Sequence, residues 1–405
     1  MRNDLRPTRQ RNNQKKRLII FIILLPAVAF LTWFLIKFVT IRADLSVVST
    51  YDFPDTANIS GIEVDARDFA IAIDGKVVAG KSYETHETKQ LPTASTAKII
   101  LGLMIMEQKP FGLNESGETI TITGEMFQKY LWYYANGGSN TRVAPGEEIS
   151  EYDALMSVFL ASSNNMADSL AIWAFGSLDE YASFAKAKLM EWGITDTTIG
   201  NDASGFSDST KSTAEDLVVL AARLMDNPVL AEIVGTKSYD VPVAGLIENT
   251  NKTLGQLGIV GVKTGYIGDA SGYCLVTAYH EGEHVVTVSL LGAETREDSF
   301  SESLKIVETV QGIAKAVRLI NRGDVVGYYD SWWTGPVEIR SSIDFDEVLW
   351  GNASKKQRLE MAEKDGELIL SINDTNYTLA VEATDYAKSP SFWDKVRHVF
   401  GWEKH

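Results

Sequence analysis

The sequence has little cysteine and histidine, and several common enzyme motifs are missing from it. Its single cysteine, Cys274, excludes an intramolecular disulfide framework, and we predict that it is a small core residue rather than a reactive thiol. The five histidines form no His-Glu-x-x-His motif and no zinc-ligand spacing, and there is no Gly-x-Ser-x-Gly elbow or phosphate-binding glycine loop. We therefore expect no metal and no cofactor, and the sequence disfavours metal hydrolases, serine hydrolases of the elbow type and P-loop enzymes.

Net positive charge is confined to one terminus. The formal net charge is −16, but residues 1–17 hold seven Lys or Arg against one Asp, so the rest of the chain carries −22. An acidic body of this kind argues against nucleic-acid binding. We interpret residues 1–17 as a cytoplasmic basic arm that orients a membrane segment.

Residues 18–36 form an uncharged apolar run of 19 residues. As a helix this run would be about 28 Å long, close to the hydrocarbon thickness of a bilayer. A cleaved signal peptide is the alternative, since Ala27-Val28-Ala29 has a small-x-small pattern, but the apolar run continues beyond it. We therefore expect a single-pass anchor in a bacterial cell membrane, with the body of the protein outside and residues 37–64 as a spacer.

The stretch 91–101 reads Leu-Pro-Thr-Ala-Ser-Thr-Ala-Lys-Ile-Ile-Leu and contains a Ser-x-x-Lys pair. We predict a helix that starts near Ala94, which would place Ser95 and Lys98 on one face, about a turn apart. A serine hydroxyl becomes a strong nucleophile when a neighbouring base removes its proton. A lysine can be that base when burial or nearby cations lower its pKa.

A second Ser-x-x-Lys pair, Ser183 and Lys186, shows that this spacing alone is a weak signal. We interpret the second pair as the solvated edge of an amphipathic helix around residues 180–192. Two later stretches of the sequence are needed to identify Ser95 and Lys98 as the functional pair.

Those two stretches are Ser-Ser-Asn at 162–164 and Lys-Thr-Gly at 263–265. The first interrupts two helical patterns, so it is either a helix cap or a proton relay with an amide that contacts a substrate. The second ends a predicted strand, so it is either a strand end with a turn residue or an edge that binds an extended peptide and its carboxylate. Taken alone, the first stretch favours a helix cap, and the second favours a strand end with a turn residue.

The remaining pattern predicts a hairpin at Asp74-Gly75, three strands over Ile259–Thr264, Tyr273–His280 and Val285–Leu291, and a helix over Ser299–Ile320. We place a principal domain at 65–320, a small all-β domain at 324–388 and an amphipathic tail helix at 389–405. The tail either lies on a membrane surface or packs on the β domain, and its pattern leaves both alternatives open.

Taken together, the ordered set Ser-x-x-Lys, Ser-x-Asn and Lys-Thr-Gly resembles that of penicillin-binding proteins and β-lactamases. The chain is most similar to the serine-type D-alanyl-D-alanine carboxypeptidases, which are low-molecular-weight penicillin-binding proteins. The resemblance extends to the stretches 212–217, 249–252, 261–266 and 271–275 and covers about residues 65–320. It implies an α+β fold of the penicillin-binding-protein and β-lactamase type, with an antiparallel sheet flanked by helices and a helical subdomain, followed by the small β domain.

The resemblance also implies roles for individual residues. Ser95 would be the nucleophile, Lys98 the general base and Ser162 the proton relay. Five further residues would bind substrate: Asn164, Lys263, Thr264, Gly265 and Tyr266.

The implied reaction is removal of the terminal D-alanine from peptidoglycan stem peptides through an acyl-enzyme, with β-lactams as covalent inhibitors. A DD-endopeptidase that cuts cross-links with the same residues is the nearest alternative, followed by a β-lactamase and a non-catalytic wall-binding protein. Two positions depart from the family pattern, because Ser163 stands where Gly or Ala is more usual and Tyr266 where His is frequent. Substrate preference is therefore less determined by the sequence than the reaction is.

Overall fold

The structure is a computed structural model whose described residues fall into two compact units. The smaller unit comprises Met1–Pro54, Arg318–Asp346 and Lys355–His405, and the larger comprises Asp55–Val317 and Glu347–Ser354. The described residues are 26, 28–37, 52–54, 59, 62–81, 90–242, 244–331, 335–350, 356–358, 360–364, 367–372, 375–379, 381–382 and 391–400.

A five-stranded sheet forms the centre of the larger unit. Its strands are β1 (Asp68–Ile73), β2 (Lys76–Gly80), β3 (Ile259–Gly265), β4 (Tyr273–Glu281) and β5 (His284–Ala293). The spatial order is β3-β4-β5-β1-β2, and every neighbouring pair is antiparallel. The predicted strands and the hairpin are confirmed. Asp74 and Gly75 both have positive φ, as a two-residue hairpin turn requires.

Both faces of this sheet are buried, because β1 sends alternate side chains into two different apolar clusters. Phe69, Ile71 and Ile73 join one cluster, which is completed by three residues of a long helix on that face, Ile306, Val307 and Val310. Ala70 and Ala72 face the other cluster, which holds most of the helices. The result is an α+β arrangement with helices on both sides of the sheet.

Eight helices lie among the described residues of the larger unit. They are α1 (Lys98–Gln108), α2 (Gly124–Ala135), α3 (Glu151–Phe159), α4 (Asn164–Phe175), α5 (Leu178–Glu191), α6 (Ala214–Met225), α7 (Pro228–Gly235) and α8 (Arg296–Ile313). The unit also contains short antiparallel pairs, namely Leu91–Pro92 with Lys211–Ser212, Thr119–Thr121 with Glu148–Ser150, Ser238–Val241 with Gly245–Glu248, and Thr198 with Lys211. Two 3-10 turns lie at Ala94–Ala97 and Gln256–Gly258.

Helix α1 is the central helix of the larger unit. All of its residues from Lys98 to Met106 are buried, as expected for a helix that is apolar on every side. It contacts α4, α5 and α6, so the helix is held from several directions. The first residue of this central helix is the predicted base, Lys98.

Side-chain caps set the starts of several helices near the site. Ser150 accepts a hydrogen bond from Asp153 N, and Thr213 accepts one from Asp216 N. Ser163 caps α4 by accepting from Met166 N. Because α4 starts immediately after this cap, Asn164 is fixed at its first position.

The predicted helix over Ser299–Ile320 is wrong at its C-terminal end. Helix α8 ends at Ile313, and Ala314 already has extended backbone angles, φ −72° and ψ 132°. The chain continues as the strand Ala314–Ile320. The sequence Ala-Lys-Ala-Val-Arg-Leu-Ile fits a period of two as well as a helical period, so its pattern could not locate the change.

Short strands make up most of the described part of the smaller unit. They are Asp52–Pro54, Val325–Ser331, Gly335–Ser341, Lys356–Arg358, Glu360–Lys364, Glu367–Ile372, Thr375–Leu379 and Val381–Glu382, while Phe345–Trp350 spans the division between the units. The tail contains helix α9 (Phe392–Val399). The predicted domain boundaries stay predictions.

Residues 26 and 28–37 are helical, and Val28, Phe30 and Leu31 are among their exposed apolar side chains. Most of the other residues of the predicted anchor, 18–36, lie outside the described part of the chain. Within the described part, no helix is both long and apolar enough to cross a membrane.

Candidate active site

The predicted nucleophile lies on a short 3-10 turn that leads into the central helix. The turn spans Ala94–Ala97, so the α-helix starts later than predicted, at Lys98. Ala94 has a φ of +48°, which an α-helix does not accommodate. In a 3-10 turn, side chains three residues apart eclipse one another. The turn therefore aligns the partly exposed hydroxyl of Ser95 with the amine of Lys98.

Lys98 is fully buried, and its Nζ lies next to three oxygen atoms. It is 2.8 Å from Ser95 Oγ, 2.7 Å from Asn164 Oδ1 and 2.7 Å from the backbone oxygen of Ser204. Burial lowers the pKa of Lys98 well below its usual value, and the nearby charge of Lys263 lowers it further. These effects favour the uncharged amine, which is the form that can act as a base.

The three oxygen atoms around Lys98 also determine which way the uncharged amine must face. The amide oxygen of Asn164 and the carbonyl oxygen of Ser204 can only accept hydrogen bonds, whereas a serine hydroxyl can donate. A neutral amine has two N–H groups and one lone pair. When both N–H groups donate to Asn164 and Ser204, the lone pair is left for the hydroxyl proton of Ser95. The geometry therefore suits proton transfer from Ser95 to Lys98.

The loop between α3 and α4 brings its asparagine to the lysine but not its first serine. Asn164 Oδ1 accepts from Lys98, and Asn164 N donates to Ser139 O at 2.8 Å. Ser162 is buried and has a φ of +57°, yet it is not one of the three oxygen neighbours of Lys98. The loop thus acts as a helix cap through Ser163 and also supplies a side chain to the site.

Strand β3 ends against the nucleophile turn. A Cβ atom on Gly265 would lie 2.9 Å from the backbone nitrogen of Ser95, so only glycine permits this close approach. Lys263 is buried, its Nζ donates to Thr264 O at 3.1 Å, and burial lowers its pKa to about 7. Thr264 Oγ1 lies 2.7 Å from Thr250 Oγ1. The Lys-Thr-Gly edge and the Ser-x-x-Lys turn therefore belong to the same site.

Tyr266 follows this edge and remains accessible. Its side chain is 46% exposed, and its ring stacks on Tyr273 with a centroid separation of 4.2 Å and an interplanar angle of 13°. The stacked pair joins the end of β3 to the start of β4. It leaves one face of Tyr266 available to a bound molecule.

Sequence reasoning missed the turn at 202–207, which supplies the third oxygen atom near Lys98. The carboxylate of Asp202 accepts hydrogen bonds from the backbone N–H groups of Ser204, Phe206 and Ser207 and from both serine hydroxyls. Burial raises the pKa of Asp202, but these hydrogen bonds more than offset that effect and lower it overall. An Asp followed by Ser and Gly is a turn signal that could have drawn attention to this stretch.

Gly205 lets this turn approach the nucleophile. It has a φ of +69°, and a Cβ atom there would lie 1.9 Å from Ala94 O. Any side chain at position 205 would therefore displace either the turn or the residue before Ser95.

Asp168 connects the same turn to helix α2. It lies one helical turn after Asn164, and its Oδ2 accepts from Lys129 Nζ at 3.1 Å and from Tyr133 OH at 2.9 Å. Its Oδ1 accepts from Ala203 N at 3.0 Å. Burial raises the pKa of Asp168, and the charge of Lys129 opposes this rise.

Comparison with known proteins agrees with this geometry. The sequence profile of the peptidase S11 family, described as D-alanyl-D-alanine carboxypeptidase, matches residues 56–295, more than half of the chain. The chain belongs to the peptidase S11 family. The matched region contains each of the site residues predicted from the sequence.

Individual relatives of this S11 chain are distant in sequence. D-alanyl-D-alanine carboxypeptidase DacF of Bacillus subtilis is 26% identical over 245 residues, and the match covers 58% of each chain. The chain thus spans less than two thirds of that relative. A D-alanyl-D-alanine endopeptidase of Pseudomonas aeruginosa is 26% identical over 306 residues, which cover 70% of this chain and 93% of the relative.

The fold of the S11 chain is also that of a solved structure. The crystal structure of a peptidoglycan synthesis regulatory factor (PBP3) from Streptococcus pneumoniae superposes with a TM-score of 0.66. It covers 80% of this chain and 99% of the other at 18% sequence identity, which supports the shared fold alone. The predicted fold class is confirmed.

Other candidate residues of the S11 chain lie outside the site. Ser183 and Lys186 are on helix α5, where the Ser183 hydroxyl donates to Asp179 O on an exposed face, as predicted. Cys274 is buried in the apolar core, and burial raises its pKa to about 12, so it is a core residue. Among the residues that the structure describes, no three His, Cys, Asp or Glu side chains are placed to hold a metal ion.

Proposed function

We propose that this protein is a serine DD-carboxypeptidase that removes the terminal D-alanine from peptidoglycan stem peptides through an acyl-enzyme. The observation that carries the proposal is the contact of 2.8 Å between Ser95 Oγ and the buried amine of Lys98. Family membership supports the same reaction.

Acylation begins when Ser95 Oγ attacks the carbonyl carbon of the D-Ala-D-Ala bond and Lys98 Nζ takes the hydroxyl proton. The backbone N–H groups of Ser95 and Tyr266 form the oxyanion hole, where one donor is typically worth about 3–4 kcal/mol. The C–N bond then breaks, the proton passes from Lys98 to the leaving amine, and an ester on Ser95 remains. Ser162, which the resemblance makes the proton relay, can take part only if its hydroxyl comes within hydrogen-bonding distance of Lys98. Water attacks this ester, releases the shortened peptide and returns the proton to Ser95.

Three residues hold the peptide in this scheme, and Gly265 makes room for the strand that carries two of them. Lys263 and Thr264 bind the terminal carboxylate, and the partly buried Thr264 hydroxyl beside Thr250 supports that assignment. Asn164 binds the backbone on the acyl side through the amide that also holds Lys98. Gly265 supports the scheme because it allows strand β3 to lie directly against the nucleophile turn.

A DD-endopeptidase is the second candidate, and the relative from Pseudomonas aeruginosa carries that name. Both reactions use the same residues, and only the size of the leaving group differs. Product analysis on cross-linked and uncross-linked muropeptides separates them, because a carboxypeptidase releases free D-alanine and an endopeptidase releases two peptides.

We further propose that β-lactams acylate Ser95, since they would occupy the same site as the peptide.

We also propose that residues 18–36 anchor the protein in a bacterial membrane with the site outside. The basic residues before this segment and its lack of charge support the orientation. In the smaller unit, the ring of Phe400 lies 5.9 Å from that of Phe34 and 6.5 Å from that of Phe30. This contact supports a tail that lies beside the anchor at the membrane surface.

Replacing Ser95 by Ala tests the reaction. We expect loss of D-alanine release from a pentapeptide, with an unchanged unfolding temperature because a partly exposed hydroxyl is removed. Ser183→Ala is the matched control, since it alters the other Ser-x-x-Lys pair and should leave the activity intact. Full activity in the Ser95 variant would refute the proposal.

A further inference from the structure

The two acceptors that orient the amine of Lys98 come from different segments of the chain. Asn164 Oδ1 lies at the start of helix α4, and Ser204 O lies in the turn at 202–207. The lone pair of Lys98 is directed at Ser95 only when both acceptors keep their places. A residue that fixes the turn against α4 therefore determines how well Lys98 can take the proton.

The turn at 202–207 is held together by its own carboxylate. Asp202 accepts hydrogen bonds from three backbone N–H groups of the turn and from two of its serine hydroxyls. Because these bonds close the turn on itself, a contact made from outside positions the whole turn. The carbonyl group of Ser204 moves with it.

Asp168 makes such a contact from helix α4. It lies four residues after Asn164, and its Oδ1 accepts from the backbone nitrogen of Ala203, the residue before Ser204, at 3.0 Å. Its Oδ2 accepts from Tyr133 OH at 2.9 Å, and Tyr133 OH also lies 3.2 Å from Ser204 Oγ. Asp168 thus joins α4 to the turn twice, once directly and once through Tyr133.

Both side chains of this link are buried. Asp168 is 1% exposed and Tyr133 is 2% exposed. Removing a carboxylate from water costs free energy, which the hydrogen bonds from Ala203 and Tyr133 and the ion pair with Lys129 at 3.1 Å offset. A buried polar network whose members are paired in this way is rigid and specifies one geometry.

We propose that Asp168 is a positioning residue for the reaction, which holds Ser204 O and Asn164 Oδ1 at the places where they orient the amine of Lys98. We call Asp168 and Tyr133 the clamp. Asp168 acts through the turn, since the three oxygen neighbours of Lys98 belong to other residues. This inference rests on the proposed function and adds a residue to its machinery.

Two substitutions of Asp168 in the full-length protein test the clamp. Asp168→Ala removes the acceptor of Ala203 N, whereas Asp168→Asn keeps an amide oxygen there and turns its Nδ2 toward Tyr133 OH, which can accept. Both variants lose the negative charge, so any difference between them reports hydrogen bonding. The measured quantity is the second-order rate constant for acylation by a fluorescent penicillin, normalised to the fraction of protein that forms the adduct.

We expect the normalised rate constant of Asp168→Ala to fall about 10-fold to 100-fold, since a displacement of about 1 Å near the reacting atoms can cost roughly 100-fold. Asp168→Asn should stay within about threefold of the parent, a difference no larger than one weak hydrogen bond produces. Normalisation removes the contribution of molecules that have merely lost their fold.

Asp216→Ala is the matched control. Asp216 on helix α6 accepts from Asp196 N at 3.0 Å and from Thr197 Oγ1 at 2.7 Å. Asp216 therefore joins a helix to a loop as Asp168 does, but this loop supplies no residue of the site. The variant should unfold at a lower temperature and keep the normalised rate constant of the parent.

Tyr133→Phe is the second variant of the clamp. It removes the hydroxyl that connects Asp168 to Ser204 and keeps the ring in place. Its normalised rate constant should fall about threefold to tenfold, as expected for one hydrogen bond. If Asp168→Ala does not fold, this variant provides the test, and a rate constant equal to that of the parent overturns the proposal.

The remaining outcomes separate the clamp from the proposed function. A parent-like rate constant in Asp168→Ala overturns the clamp, and equally low rate constants in Asp168→Ala and Asp168→Asn overturn it as well, because charge would then be the cause. In either case the carboxypeptidase reaction stands. If the parent protein neither forms the adduct nor releases D-alanine, the proposed function fails, and the clamp fails with it.

Discussion

Two buried lysines dominate the chemistry at the scale of single residues. The sequence spacing identified Lys98 and Lys263 because each stands in a short motif. It could not reveal that the backbone oxygen of Ser204 accepts from Lys98, since a carbonyl group carries no sequence signal and lies 106 positions away. For the same reason the motif did not predict how the lone pair of Lys98 faces Ser95.

The pH dependence of kcat/KM should be bell-shaped, because the reaction needs one lysine neutral and the other charged. As the pH rises, Lys98 loses its proton and the rate increases. Lys263 must stay charged to pair with the substrate carboxylate, and burial lowers its pKa to about 7, so kcat/KM should fall as the pH rises through about 7. Initial rates of D-alanine release across pH measure both limbs.

Lys263→Arg provides the control for the basic limb. A guanidinium group stays charged throughout this range. The variant should therefore keep the rise in kcat/KM on the acidic side and lose the fall near pH 7. A basic limb that is identical in the variant and the parent would show that another group causes it.

At the scale of elements, local signals predicted the hairpin at Asp74-Gly75 and the three later strands. Local signals did not predict where helix α1 starts, because that start depends on contacts between segments that are distant in sequence. The 3-10 turn at Ala94–Ala97 is packed against Gly205 and Gly265, which are more than 100 residues away in sequence. The helix start could not be placed from 91–101 alone.

Gly205→Ala should disrupt catalysis through this packing. The new Cβ atom would meet Ala94 O at 1.9 Å, so the residue before Ser95 must move. A displacement of about 1 Å at a nucleophile can cost roughly 100-fold in rate, and we expect a loss of kcat/KM of that order. The measurement is D-alanine release together with the rate of acylation by a penicillin.

Gly193→Ala separates this effect from backbone strain. Gly193 also has a positive φ, +75°, but nothing lies within 4 Å of the added Cβ atom. The Gly193→Ala variant should lose about 1 kcal/mol in its free energy of unfolding and keep its kcat/KM. Equal losses of kcat/KM in the two variants would mean that strain, not the contact with Ala94, explains the result.

At the scale of the whole molecule, the fold class followed from the sequence because three motifs occur in a fixed order on a helix, a loop and a strand. The clamp of Asp168 and Tyr133 did not follow, since it joins α2, α4 and a turn that are separated in sequence. The uneven charge gives a further expectation, because a basic arm precedes an uncharged segment and an acidic body.

Deletion of residues 2–36 should therefore move the protein from the membrane fraction to the soluble fraction, with activity retained, since the site lies entirely within 91–273. In intact cells the parent should be accessible to a protease added outside, as the positive-inside rule requires. Parent protein in the soluble fraction, or protected from the external protease, would contradict the proposed anchor and orientation.

The central claim is that Ser95 is the acylated nucleophile. The most direct test is to incubate the full-length protein with a fluorescent penicillin and to locate the adduct by peptide mapping and mass spectrometry. We expect one long-lived adduct on Ser95, because Lys98 directs the proton transfer from that hydroxyl. An adduct on Ser162 or on another residue, with Ser95 unmodified, would contradict the account.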